Sequence, residues 1–118
     1  MKRNSHKYGA TPVIIDGIKF PSKLEGACYS RLKILQKAGL FKFFIRQASF
    51  DLPGQATHKV DYCIFMQDRV LFIEAKGRDL PIGKLKRKQV EDIYGIQVHV
   101  VKKAGEIDAW LRPDREEI

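Results

Sequence analysis

The stretch HKVDYCIFMQDRVLFIEAKG, His58 to Gly77, holds two runs of aromatic and β-branched residues separated by Gln67 and Asp68. Runs of that length and composition read as strands, and the polar pair between them reads as a turn, so the segment predicts two antiparallel strands. Two features sit badly in a packed sheet. Asp61 interrupts an otherwise apolar strand, and Glu74 and Lys76 stand one residue apart at the end of the next. Side chains alternate faces along a strand, so Glu74 and Lys76 project to one side while Ile73 and Ala75 project to the other. Charges beside a packed sheet are costly unless they pair, reach solvent or bind something. If the two strands pair through the short turn, Asp61 comes level with Glu74. Carboxylates that close repel each other, and a divalent cation relieves the repulsion.

Outward from this pair the chain reads as alternating short elements. VIIDGIKF carries Asp16-Gly17 between apolar runs, the signal of a two-residue hairpin turn. From Ser22 to about Ala38, Leu24, Cys28, Leu32 and Leu35 recur at spacings of three and four, which predicts an amphipathic helix stopped by Gly39. Phe41 to Leu52 reads as a strand before the quoted pair, completing a meander. Pro81 opens a second helix through about Tyr94, ended by Gly95; Ile96 to Val101 is a further strand, and EIDAWLR a short closing helix with Trp110 packed on the core. The order is αβββαβ after an N-terminal hairpin.

The bulk numbers bound the function. A chain of 118 residues predicts one domain, 1–118, with residues 1–11 as a basic arm. Nothing in it approaches the roughly 18 to 20 apolar residues that span a bilayer, and no apolar signal region opens the sequence, which points to the cytoplasm. Cys28 and Cys63 stand alone, as small buried side chains of a reducing compartment. The net charge of +8, from 22 Lys plus Arg against 14 Asp plus Glu, makes a polyanion the natural partner. Lys2, Arg3 and Lys7 at the N-terminus, and Lys84, Arg87 and Lys88 on one face of the second helix, are candidate phosphate contacts, with a solvated basic face as the alternative. His6, His58 and His99 have no partner spacing and read as surface or strand residues.

Glu25 adds an acid from the first helix. SKLE matches a capping box in which Ser22 and Glu25 satisfy backbone donors reciprocally, so capping alone accounts for it. It also flanks the apolar stripe, from which a carboxylate reaches the sheet edge.

An acid in the first helix, an acid in the second core strand and Glu-x-Lys ending the third, in an αβββαβ frame, resemble the PD-(D/E)XK nuclease superfamily. The matching residues are Glu25, Asp61, Glu74 and Lys76, and the resemblance covers about Ser22 to Val101. Within it, SKLEGACYSRLKILQKAGLFKFFIRQASFDL, KVDYCIF and FIEAKG look like small phage-type members, including Holliday-junction resolvases and nuclease subunits of transposition systems. Val60 stands where the motif's name has proline. The resemblance implies a restriction-endonuclease-like α/β fold, a mixed central sheet flanked by helices, and a Mg²⁺-dependent DNA endonuclease. Glu25, Asp61, Glu74 and the Ala75 backbone carbonyl would hold Mg²⁺, with Mn²⁺ able to substitute. Lys76 would be the catalytic lysine, Gln47 a polar residue of the first core strand at the site, and Lys84 or Lys88 an auxiliary cation. A salt bridge of Lys76 with either acid is the competing structural account. Branched DNA is the expected substrate, cut by a homodimer whose two-fold axis supplies two sites, with recombination proteins as possible partners. The alternatives are a nuclease subunit that cuts only with a partner and a non-catalytic basic module on the same fold.

Overall fold

A computed structural model describes residues 10–112. Lys2, Arg3 and Lys7 of the expected basic arm, and His6, lie outside the described residues. β1 (Val13–Ile15) and β2 (Ile18–Phe20) form the expected antiparallel hairpin. Its turn residues Asp16 and Gly17 both take positive φ, 53° and 75°, the conformation that an Asp-Gly pair tolerates best. The first helix, α1 (Lys23–Lys37), starts where the Ser22 side chain accepts the Glu25 backbone N–H at 3.1 Å. It buries Cys28, Tyr29, Leu32 and Leu35, the face set by the apolar spacing. The hairpin lies directly against it at Gly26, where a Cβ would fall 2.6 Å from Val13 Cγ2 and 3.0 Å from Ile15 Cδ1. The Tyr29 hydroxyl donates to Asp16 at 2.9 Å and ties the turn to the helix.

The remaining strands make one mixed sheet in the order β3-β4-β5-β6: β3 (Phe43–Leu52), β4 (Ala56–Phe65), β5 (Val70–Ala75) and β6 (Val98–Val101). The first three form an antiparallel meander, and β6 runs parallel to β5 after the crossover helix α2 (Pro81–Tyr94). A short α3 (Ile107–Trp110) closes the fold, with Trp110 stacked on His99 at 3.7 Å between ring centroids. Among the described residues no helix is long and apolar enough to cross a membrane.

Helices cover both faces of the sheet. On one side Leu32 and Cys28 of α1 pack with Tyr62, Ile64, Leu71 and Ile73, joined by Phe20 from the hairpin and Ile107. On the other, Val90 of α2 packs with Leu52, Val60 and Val98. Each fully buried aliphatic or aromatic side chain contributes about 1.5–3 kcal/mol, so the larger cluster under α1 dominates the core. Both cysteines are free and buried, and burial pushes the Cys28 thiol up to about 12 and the Cys63 thiol to about 11.

One irregularity decides where the site forms. Val60 belongs to the α2 side and Tyr62 to the α1 side, although residues two apart on a regular strand share a face. The reversal falls at Asp61, opposite Gln47, whose φ of 57° is left-handed and costly for a residue with a Cβ.

Candidate active site

Asp61 sits where β4 and β5 part. Their paired register ends at Tyr62↔Ile73, which frees the next backbone N–H on β5, that of Ala75, and Asp61 Oδ2 accepts it at 2.8 Å. Asp61 is thereby locked into the fork, and only 9% of it is exposed. Glu25 approaches from the first turn of α1 and is 5% exposed. Its backbone N–H makes the cap with Ser22, while its carboxylate is bound elsewhere: Oε2 accepts from Gln47 Nε2 at 2.9 Å. The same Nε2 lies 3.4 Å from Asp61 Oδ1. Gln47 therefore bridges the two carboxylates, and its strained backbone is what aims it there. The Tyr62 hydroxyl donates to the Glu25 carbonyl at 2.7 Å and fixes the helix start over the sheet.

Two buried acids this close resist ionising together. Burial first, then the Asp61 charge, pushes Glu25 up to about 7, against the opposing pull of Arg46, Lys76 and the Gln47 hydrogen bond. Burial likewise raises Asp61, offset by the Ala75 N–H and by Lys76. The Lys76 charge thus acts on both carboxylates, yet Lys76 forms no ion pair with any described residue. Its backbone N–H continues the parallel ladder to the Val101 carbonyl at 3.0 Å, which anchors the residue. Glu25, Ala75 and Lys76 line a cleft of about 650 Å³ together with Thr11, Ser22 and Arg78.

Glu74 departs from expectation. Side-chain alternation predicts that it shares a direction with Lys76 and stands level with Asp61 as a ligand. Its carboxylate is instead fully buried and turned to other partners: Oε2 meets His58 Nε2, and Oε1 accepts from Arg87 Nη1 at 3.2 Å. Arg87 also donates to Asp79 Oδ1 at 3.1 Å and holds the Asp79 carboxyl below its ordinary range. Among the described residues no three His, Cys, Asp or Glu side chains are arranged to hold a metal ion. The structure brings together Glu25, Gln47, Asp61 and Lys76. Ala75 joins them through its N–H. Glu74 turns its carboxylate to His58 and Arg87, yet its charge also raises Asp61.

Two further expectations are corrected. His58 lies on β4 but has a partner, because Thr57 and Lys59 face out while His58 and Val60 face in. Arg87, expected at phosphates, has only 12% of its side chain exposed and is spent on Glu74 and Asp79. Its helical neighbours Lys84 and Lys88 remain exposed, Lys88 in an open pair with Asp92 at 3.4 Å. Spacing on α2 groups these three cations but does not show that two acids from the β5 end draw one of them inward.

By donor chemistry Glu25 and Asp61 fit a hard divalent cation: two adjacent oxygen donors whose mutual repulsion a cation would cancel. Glu74 as it stands does not complete the set.

The model of a family described as a protein of unknown function, DUF1064, matches residues 5–106, and the chain belongs to that family. No curated protein and no solved structure matches it.

Proposed function

We propose that this DUF1064 protein is a divalent-cation-dependent DNA endonuclease on a restriction-endonuclease-like core, selecting branched DNA by shape. The observation that carries the reading is the convergence of Glu25, Asp61 and Lys76, bridged by Gln47, at the fork between β4 and β5. A single charged pair on a strand has ordinary structural uses. Two buried acids whose ionisation is suppressed, both acted on by the charge of Lys76, which forms no ion pair with any described residue, favour a site.

Glu25 and Asp61 would hold Mg²⁺, which when bound supplies Lewis acidity at the phosphate and a more acidic water. The chain's own residues do the rest. The Ala75 N–H fixes Asp61 through Oδ2 and leaves Oδ1 toward Gln47. The Gln47 amide keeps the two carboxylates apart at a set distance. Lys76 Nζ, with no ion pair to any described residue, would donate to the phosphate oxygens as negative charge builds on them, a contact strongest in the transition state. A symmetric dimer would set two such sites for paired cuts across a junction.

The burial of Glu74 between His58 and Arg87 favours a second form of this reading, in which DNA or a partner subunit must release Glu74 before cutting begins. The experiment offers Mg²⁺ or Mn²⁺ with four-way junction, nicked, linear and supercoiled DNA, beside an Asp61→Ala control. Cation-dependent cleavage that the control lacks is expected. Undiminished cleavage by the control discards the assignment, and cation-dependent DNA binding without cleavage selects the partner-dependent form.

A further inference from the structure

Arg46 is absent from every expectation drawn from the sequence, yet it adjoins the site. It precedes Gln47 on β3, and its charge acts on Glu25. Its guanidinium lies over the Phe20 ring, 4.7 Å from the centroid, which helps hold the group in place. Its Nε is shut off from solvent with no acceptor, and the side chain forms no hydrogen bond or ion pair with any described residue. The contrast with Arg69 is instructive. Arg69 Nε is also without an acceptor, but its Nη1 and Nη2 bind Asp68 Oδ1 and the carbonyls of Trp110 and Arg112, so that side chain is a structural tie. Arg46 has no such tie among the described residues, and Glu25, the acid on which its charge acts, is engaged by Gln47.

A cation held partly out of water without a counter-charge is costly, and with Nε sealed the two Nη nitrogens are the donors that an anion can reach to offset that cost. A guanidinium seated over a ring with its two Nη nitrogens uncommitted offers paired donors, which two oxygens of one phosphate satisfy together. From this we infer that Arg46 is an anion clamp beside the site, binding the non-bridging oxygens of a backbone phosphate next to the one to be cut. The identity of that phosphate rests on the nuclease reading; the anion site itself does not.

The experiment therefore has two arms. In the first, inorganic phosphate is titrated into the full-length wild type, Arg46→Gln and Arg46→Lys while the melting temperature is followed. Phosphate is expected to raise the wild-type melting temperature by linkage and to do so far less in Arg46→Gln, whose melting without phosphate is no lower than wild type. Arg46→Lys keeps the charge without the fork and falls between them; it serves as the test variant if Arg46→Gln does not fold. Equal stabilisation of wild type and the variant, or none in wild type, overturns the clamp. In the second arm, binding of nicked duplex weakens about tenfold in Arg46→Gln, as loss of a charged hydrogen bond predicts. That loss vanishes on DNA carrying one methylphosphonate at the contacted step. A protein that binds phosphate through Arg46 but never cuts removes the nuclease and keeps the clamp. One that cuts while Arg46→Gln matches it in both arms removes the clamp and keeps the nuclease.

Discussion

At the scale of single residues, Glu25 concentrates the physics of the site. Its backbone N–H serves the helix cap while its carboxylate serves the sheet, so only the Ser22 half of the capping box forms and the carboxylate is left for Gln47. The cost falls on its ionisation, since burial and Asp61 raise it from 4.5 to about 7. The folded protein then holds a proton there that the unfolded chain has lost, so Glu25 subtracts stability as pH rises from about 4.5 to about 7 and subtracts no more above that. The full effect is on the order of 3 kcal/mol. Glu25→Gln should lack this slope, so denaturant unfolding of the two proteins across the window should converge at low pH and separate by pH 7.5, with the variant more stable. Parallel curves would mean that Glu25 ionises normally in the fold. Divalent cation should offset the wild-type loss at the upper end, where the carboxylate it needs is ionised.

At the scale of elements, the sequence specified more of the frame than of the site. The hairpin turn, the apolar stripe of α1, the three-strand meander and the crossover to β6 all follow from periodicity and turn residues, because each is decided within a few neighbours. What escaped is non-local. The face reversal at Asp61 depends on Gln47 in another strand adopting a left-handed backbone, and alternation counted along β4 alone gives no hint of it. For the same reason the further company of Glu74 is not legible along its strand, since His58 and Arg87 reach it from β4 and α2. Gly26 is a related case. Within α1 it reads as a weak helix residue, worth about 1 kcal/mol less than alanine. The hairpin explains it, for a Cβ would lie 2.6 Å from Val13 Cγ2, and a β-branched side chain has little freedom to retreat. Gly26→Ala should therefore lose about 1–3 kcal/mol in spite of its better helix propensity, and Val13→Ala in the same chain should restore part of the loss. A stabilised Gly26→Ala protein would show that the hairpin is not seated as described.

At the scale of the whole molecule, the charge of +8 has to be divided between cations that face solvent and cations that hold the fold. α2 contains both kinds one residue apart. Lys84 and Lys88 are exposed, and the pair between Lys88 and Asp92 leaves about two thirds of each side chain in water, 67% and 64%, where such a pair contributes little. Arg87 is the opposite case, caught between Glu74, fully buried, and Asp79. If the helix faces DNA, each exposed lysine releases about one counterion on binding. Lys84→Gln with Lys88→Gln should then flatten the plot of log affinity against log salt by roughly two units and leave stability within about 0.5 kcal/mol of wild type. Arg87→Gln should do the reverse. It strips a buried carboxylate of its cationic partner, so unfolding becomes easier by about 3–5 kcal/mol, while the salt slope stays as it was. Measuring both quantities in both proteins separates the roles: a salt slope unmoved by the double lysine change takes DNA off this face of α2, and a slope that falls with Arg87→Gln at unchanged stability returns Arg87 to the surface.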